Sequence, residues 1–195
     1  MSKPIPNNIT YPDVVRGWWA EARFHPDFYS VFSQSGFRSG THIDEKGREL
    51  YLPPDASDEA LGGAVLEAMA ASRWLLPKPT PGDVDHPEVE FDAETASYIK
   101  GSKRELEWDK RARKRYQLKY KKDLYVPMKR CNVARKEGKI TIKCRVHYPE
   151  SQYGDCWGFD TNELAPYVIL PDAATAEEIG AGVKLAFSRC RDLPG

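Results

Sequence analysis

The sequence lacks the features of a membrane-spanning or secreted chain. Its 195 residues contain no apolar run that approaches the ~20 residues needed to cross a bilayer as a helix. The N-terminus, MSKPIPNNIT, has no apolar segment of the kind that a secretory signal requires. Hydrophobic residues make up 41% and charged residues 30% of the chain, which is typical of globular proteins. We therefore expect a cytoplasmic protein that forms one domain over residues 1–195.

Cysteines are few and widely spaced. The four are Cys131, Cys144, Cys156 and Cys190, with no CxxC pair, so a disulfide scaffold is excluded. Cys131, Cys144 and Cys156 with His147 are a conceivable zinc set, but structural zinc sites generally show paired close spacings. In KITIKCRVH (139–147), Cys144 alternates with charged residues, which predicts a strand with this thiol in the core. We predict no metal site.

Motifs of the common enzyme classes are also missing. The sequence has no HExxH, no GxSxG and no dinucleotide fingerprint. Two histidine–carboxylate pairs, His25 with Asp27 and His42 with Asp44, have the composition of an acid–base pair. Both stand in turn-like polar contexts, where capping and solvation account for them, and no nucleophile accompanies either. The sequence predicts a protein that is not an enzyme, with no catalytic residue and no cofactor.

A repeat is the most conspicuous feature that is present. LPPDASDEALGGAVLEAMAASR (52–73) aligns without a gap on LPDAATAEEIGAGVKLAFSRCR (170–191). Ser57 and Thr175 occupy the helix N-cap position of each copy, and Glu178 stands at capping-box spacing from Thr175. The pattern predicts two similar strand–loop–helix units, at about 48–73 and 166–191. Glycines inside both helices predict a close approach of each helix to a sheet or to another helix.

The remaining segments predict further strands and helices. Tryptophans and valines at helical spacing predict a helix over 12–23, and FYSVF, RELYL and PYVIL predict strands. QSGFRSG predicts a turn and YGDCWGF an irregular loop. Residues 124–148 predict a hairpin around the turn ARKEG, and 104–122 predict a charged helix. The fold class that follows is α+β, with a mostly antiparallel sheet and flanking helices.

The zero net charge of the chain is a cancellation between segments. Residues 1–99 hold 8 Lys/Arg against 16 Asp/Glu, a net of −8, whereas residues 100–136 hold 15 against 4, a net of +11. Residues 77–94, PKPTPGDVDHPEVEFDAE, predict an exposed acidic connection between the two repeat copies. Residues 104–122 interleave basic side chains with Trp108, Tyr116 and Tyr120. Such local fields steer association with partners.

The segments that carry the repeat also carry a family resemblance. LPPDASDEALGGAVLEAMAASR, the hairpin KKDLYVPMKRCNV…KITIKCRVHYPES followed by DCWGF, and VILPDAATAEEIGAGVKLAFSRC resemble the immunity proteins of bacterial contact-dependent growth inhibition systems. The resemblance covers most of the chain from about Trp19. It implies a cytoplasmic antidote that binds and neutralises the C-terminal toxin domain, often a nuclease, of a large surface effector delivered by a neighbouring cell.

The resemblance names no contact residues, so the candidate toxin-binding residues come from charge. A nuclease needs a cationic cleft for its phosphate substrate, and an inhibitor gains on-rate by presenting carboxylates to that cleft. The acidic connection supplies Asp83, Asp85, Glu88, Glu90, Asp92 and Glu94, although a solvated linker has the same composition. The alternative is the basic segment with Arg111, Arg113, Lys114, Lys119 and Lys121, which suits nucleic acid or an acidic toxin.

Overall fold

A computed structural model describes residues 16–37, 40–78, 88–151, 154–158 and 167–190. Its strands are β1 (Trp18–His25), β2 (Phe28–Phe37), β3 (Gly40–Ile43), β4 (Glu49–Leu52), β5 (Trp74–Leu76), β6 (Val89–Phe91), β7 (Lys129–Lys136), β8 (Lys139–Ser151), β9 (Gly154–Gly158) and β10 (Val168–Pro171). Its helices are α1 (Asp58–Ala70), α2 (Tyr98–Arg115), α3 (Lys121–Tyr125) and α4 (Ala176–Arg189). None of the helices in the described ranges is long and apolar enough to span a bilayer.

The strands pair into one mostly antiparallel sheet. Seven strands follow the order β10-β8-β7-β1-β2-β5-β6, with β3 and β4 also on β2 and β9 on β8. The β1–β2 hairpin runs from Trp19 opposite Gln34 to His25 opposite Phe28. The β7–β8 hairpin turns at Glu137 and Gly138, both with positive φ. Among the strands in the described ranges, only the short β2–β5 and β5–β6 pairings are parallel, so the predicted α+β class is confirmed.

The segment predicted as an N-terminal helix is largely a strand, and that prediction was wrong. Residues 12–15 lie outside the described part of the chain, and from Trp18 onward the backbone is β1. Ala20 and Ala22 belong to the core under α1 and α4, whereas Arg23 reaches Glu105 of α2 on the opposite face. Residues 20–25, AEARFH, do alternate apolar with polar side chains as a strand does. The helix prediction followed the spacing of the tryptophans and valines instead.

Two other local predictions need correction. The turn predicted from QSGFRSG does not begin at Gln34, because β2 continues to Phe37 and pairs with β3 there. YGDCWGF was predicted as an irregular loop, but Gly154–Gly158 form β9 against β8. In both cases the segment forms backbone hydrogen bonds with a neighbouring strand, and the local sequence does not predict this pairing.

Helices α1 and α4 form the layer on one face of the sheet, and they contain the two repeat copies. The Ser57 side chain accepts a hydrogen bond from the Ala60 amide at the start of α1. Thr175 and Glu178 form the predicted capping box of α4. The apolar stripes of the two helices, which include Leu61 and Val183, pack on Val31 and Ile142 of the sheet. The two predicted strand–loop–helix units are thus β4–α1 and β10–α4.

Helices α2 and α3 cover part of the other face. Phe28 and Phe32 of β2 pack there against Trp108 of α2 and Leu124 of α3. The ring of Phe32 meets that of Trp108 edge-on, with centroids 5.8 Å apart. This second core explains why the charged segment 104–122 contains a tryptophan. The apolar side of α2 packs on the sheet, and its basic side faces solvent.

Candidate functional site

The acidic connection is only partly a solvated linker. Asp83 and Asp85 lie outside the described residues, whereas β6 runs through the second half of the segment and pairs with β5. Four predicted toxin-binding residues are described, and each pairs with a cation. Glu88 pairs with Arg16 at 2.8 Å, Glu90 with Arg73 at 2.8 Å, Asp92 with Lys46 at 2.9 Å and Glu94 with Lys100 at 2.8 Å.

Arg73 holds this acidic strand against the end of α1. Its guanidinium donates to both carboxylate oxygens of Asp44, at 2.7 and 2.8 Å, and also to Glu90 and Asp92. Burial alone would raise the pKa of Asp44, but hydrogen bonds from Arg73 and Ser35 lower it below its ordinary value. Arg73 follows the end of α1, where a cation also interacts favourably with the helix dipole. Its side chain connects Glu90 and Asp92 to the buried Asp44.

The pairing leaves an ordered row of carboxylates at the surface. The side chains of Glu88, Glu90 and Glu94 are 48%, 57% and 74% exposed, whereas Asp92 is turned inward. We call Glu88, Glu90, Asp92 and Glu94 the acidic edge. Exposed ion pairs are weak and exchange readily, so the exposed carboxylates remain open to a cationic partner.

The basic segment spans α2 and α3. Arg111 pairs with Glu49 of β4 at 2.8 Å, and Arg113 pairs with the buried carboxylate of Asp109, which Lys121 approaches to 3.8 Å. Lys114 and Lys119 are exposed. Two of the five predicted basic residues, Arg113 and Lys121, thus face one buried carboxylate, that of Asp109.

The aromatic residues of that segment serve the core. Trp108 is 1% exposed, and the Arg23 guanidinium lies 4.1 Å from its ring centroid. Tyr116 stacks on Phe28 at 4.0 Å between ring centroids. Of the three aromatics, Tyr120 alone is well exposed, at 51%. A surface that binds single strands needs several exposed rings for base stacking, so the segment offers charge without a stacking platform.

The two histidine–carboxylate pairs have structural surroundings. His25 is buried against Phe28, and its Nε2 lies 3.0 Å from the carbonyl oxygen of Asp123. Asp27 is 3.4 Å from Nδ1 of the same ring. Asp44 is engaged by Arg73 and Ser35, which leaves it poorly placed to orient His42. His25 and Asp44 thus both have structural partners.

A buried ion cluster went unrecognised in the sequence. Arg23 is fully buried in β1 and donates to Glu21 at 2.5 Å and to both oxygens of Glu105 at 3.0 and 2.7 Å. Arg130 of β7 also pairs with Glu105. Burial alone would raise the pKa of Glu105, but the charges of Arg130 and Arg23 lower it to about 2. The partners are 25 and 82 residues from Glu105, so local spacing could not reveal them.

Three cysteines also converge, in a combination that the sequence did not suggest. The sulfurs of Cys131, Cys144 and Cys190 all lie within 4.8 Å of one another. Cys144 is buried as predicted, but the third member is Cys190 at the end of α4. His147 and Cys156, which completed the conceivable zinc set, have side chains outside the described part of the chain.

Comparison with known proteins shows one family. The immunity protein CdiI-YPIII of Yersinia pseudotuberculosis serotype O:3 (strain YPIII) is 35% identical over 179 residues, which cover 92% of this chain and 98% of that protein. A chain of the CdiA-CT/CdiI toxin and immunity complex from Yersinia pseudotuberculosis superposes with a TM-score of 0.82 at 35% identity, covering 92% of this chain and 100% of that chain.

A second solved structure agrees. A protein of unknown function from Neisseria meningitidis superposes with a TM-score of 0.72 at 27% identity, over 94% of this chain and 100% of the other. The family model for the CDI immunity protein CdiI matches residues 18–190. The resemblance drawn from the sequence is therefore confirmed: this chain belongs to the CdiI family of CDI immunity proteins.

Proposed function

We propose that this protein binds and neutralises the C-terminal toxin domain of a cognate contact-dependent growth inhibition effector. The observation that carries the proposal is the match, over 92% of this chain and at 35% identity, to a chain of a solved toxin and immunity complex. The family is one of immunity proteins and not of enzymes, in agreement with the sequence prediction. The partner is accordingly a protein, and inhibition works by binding.

The acidic edge, together with Asp83 and Asp85 of the same connection, is the proposed toxin-binding surface. Glu90 lies in β6, Glu88 directly precedes that strand and Glu94 lies in the turn after it. All three expose their carboxylates. Arg73 and Asp44 fix that strand to the body of the fold, so the carboxylates are preorganised and binding loses little additional side-chain entropy. A row of carboxylates complements the cationic cleft of a nuclease, and we therefore propose that the toxin is a nuclease.

Action in the cytoplasm follows from the same proposal. A nuclease toxin finds its substrates in the cytoplasm, and an antidote must meet the toxin before its substrate does. Fast association matters for that task, and carboxylates facing a cationic cleft raise the association rate. The proposed acidic surface and the proposed cytoplasmic location thus both favour rapid capture of the toxin.

Co-expression with the toxin domain encoded beside this protein tests the proposal. We expect growth to be restored and the two proteins to co-purify at equal stoichiometry through a tag on the toxin. A toxin domain from an unrelated system is the matched control, and it should be neither bound nor neutralised, because specificity is a difference between affinities. Failure of both rescue and co-purification with the cognate toxin would refute the proposed function.

Nucleic-acid binding through the basic segment is the other function that the sequence left open. Its charge remains on the surface, but Trp108 and Tyr116 are engaged in the core. Binding through phosphate contacts would weaken steeply with salt, because each contact releases counterions. We expect no such salt-sensitive binding at physiological ionic strength, and a salt series with short single-stranded RNA measures it.

A further inference from the structure

The cysteine cluster lies where two strands and a helix end meet. Cys131 of β7 and Cys144 of β8 are directly opposite each other in the antiparallel pair, and their sulfurs are 3.7 Å apart. Both side chains belong to the core under α1 and α4. Cys190 is the C-cap residue of α4, and it packs against the same core from a half-buried position. Three separate elements therefore bring their sulfurs to one point.

The spacing of the sulfurs matches a thiolate-bound ion. With metal–sulfur bonds of ~2.3 Å, three sulfurs around one ion are separated by roughly 3.8–4.0 Å. The three sulfurs here are 3.7 Å apart in one pair and no more than 4.8 Å apart in any pair. Bringing Cys190 into bonding distance requires only a small adjustment at a helix end, where the backbone frays readily.

The surroundings supply an oxygen and positive charge. The carbonyl oxygen of Ala186 lies 2.6 Å from the Cys144 sulfur and 3.6 Å from that of Cys190. The Cys190 amide bonds to Phe187, so the Ala186 carbonyl faces the sulfurs at the end of the helix. Lys129 and Arg189 act electrostatically on Cys144, and their charges oppose the negative charge that three thiolates bring to the core.

We propose that Cys131, Cys144 and Cys190 bind one thiophilic metal ion, Zn²⁺ or Cu⁺, beside the Ala186 carbonyl oxygen. Thiolates select these ions over Mg²⁺ and Ca²⁺. Each thiol loses its proton when it coordinates, so binding at three sulfurs releases three protons to solvent. The ion links the end of α4 to the β7–β8 hairpin, and this stabilising role is separate from toxin binding.

Titration of the reduced, metal-free full-length protein tests the site. Zn²⁺ is added against a chromogenic chelator, and Cu⁺ is measured in the same way under anaerobic conditions. We expect one ion per chain for at least one of the two metals, and a melting temperature that rises with the concentration of free ion. Replacement by Co²⁺ should give the near-ultraviolet charge-transfer band of sulfur ligands, with an intensity that counts the sulfurs.

Matched variants assign the ligands. Cys190→Ser changes the half-buried member and should lower the affinity at least ~100-fold, a loss larger than the 10–100-fold of an outer-shell change. Cys156→Ser keeps all three cluster cysteines and should bind as the parent does. Circular dichroism checks that each variant folds. If a variant does not fold, the intensity of the Co²⁺ band in the parent protein still gives the number of sulfur ligands.

Several results would overturn the proposal. One is the absence of stoichiometric binding by either metal while thiol titration shows all four cysteines reduced. Another is affinity that survives Cys190→Ser or is lost in Cys156→Ser. A Co²⁺ complex without sulfur charge transfer would also refute it. None of these measurements uses the toxin, so their failure is distinguishable from failure of the proposed function.

Discussion

Gly62 of α1 and Gly180 of α4 lie in the contact between the two helices, each against the first turn of the other. A Cβ atom on Gly62 would lie 1.7 Å from the Ala176 carbonyl oxygen, and one on Gly180 would lie 1.9 Å from that of Asp58. The two positions are equivalent in the repeat, so the pairing is reciprocal. The predicted close approach of each helix is confirmed, and it is an approach of the two repeat copies to each other.

Substitution of Gly62 by alanine should destabilise the protein. The added methyl group meets backbone atoms, which cannot rotate away, so α1 and α4 must separate and lose packing. We expect a loss of roughly 2–4 kcal/mol in the free energy of unfolding, measured by urea denaturation. Gly63→Ala is the control, because a Cβ there has no atom within 4 Å, and alanine should stabilise the helix by about 0.5–1 kcal/mol. Equal effects at both positions would contradict the close contact.

Removal of the Arg73 side chain should weaken the attachment of the acidic edge. Asp44 is 3% exposed and would lose its cation, so Arg73→Ala should cost about 2–4 kcal/mol of unfolding free energy. Lys46→Ala removes an exposed partner of Asp92, with the lysine side chain 68% exposed, and should cost about 1 kcal/mol or less. Thermal and urea unfolding compare the two. A loss as small for Arg73 as for Lys46 would contradict the organising role of Arg73.

The buried ion cluster predicts loss of stability in acid. Because the pKa of Glu105 in the folded protein is about 2 against an ordinary value of 4.5, ionised Glu105 stabilises the fold fully above pH ~4.5. This contribution declines as the pH falls from 4.5 towards 2. Unfolding free energies between pH 6 and pH 2.5 measure the decline. Glu105→Gln should flatten the profile, whereas Glu107→Gln, on the exposed side of the same helix, should change it much less.

Charge reversal distinguishes the two candidate faces for the toxin. Asp85→Lys with Glu94→Lys alters the acidic connection, and we expect it to slow association with the toxin by about 10-fold or more at low salt. Lys114→Glu with Lys119→Glu reverses the same number of charges on the basic segment and should not slow association. Stopped-flow or biosensor association rates across a salt series provide the measurement. The opposite pattern would assign the toxin to the basic segment.

Some of these features were accessible from the sequence because they depend on neighbours along the chain. The N-caps Ser57 and Thr175, the apolar stripes of α1 and α4 and the β7–β8 hairpin involve residues only a few positions apart. Capping and helical periodicity are local effects, and the repeat showed each of them twice. The same motifs carried the family resemblance, which the comparisons confirmed.

Other features were hidden because their partners are distant. Trp18 and Trp19 suggested a helix, but β2 and β7 on either side of β1 supply its hydrogen bonds. The alternation of AEARFH (20–25) was a local strand signal, but the prediction followed the spacing of the tryptophans and valines instead. Glu21 and Arg23 are charged residues in a core strand. The pairing of Arg23 with Glu105 requires α2 to dock on the sheet, and the pairing of Glu21 with Arg130 requires β7 to lie beside β1.

The sequence by itself therefore determined the two repeated helical units, the hairpin, the α+β class and the family. The tertiary structure alone decided which charges are neutralised inside the protein. Arg73 pairs with Asp44 and the acidic edge, and Trp108 packs in the core between the sheet and α2. The convergence of Cys131, Cys144 and Cys190 is likewise a product of folding, because backbone pairing and helix packing bring together residues that no local spacing relates.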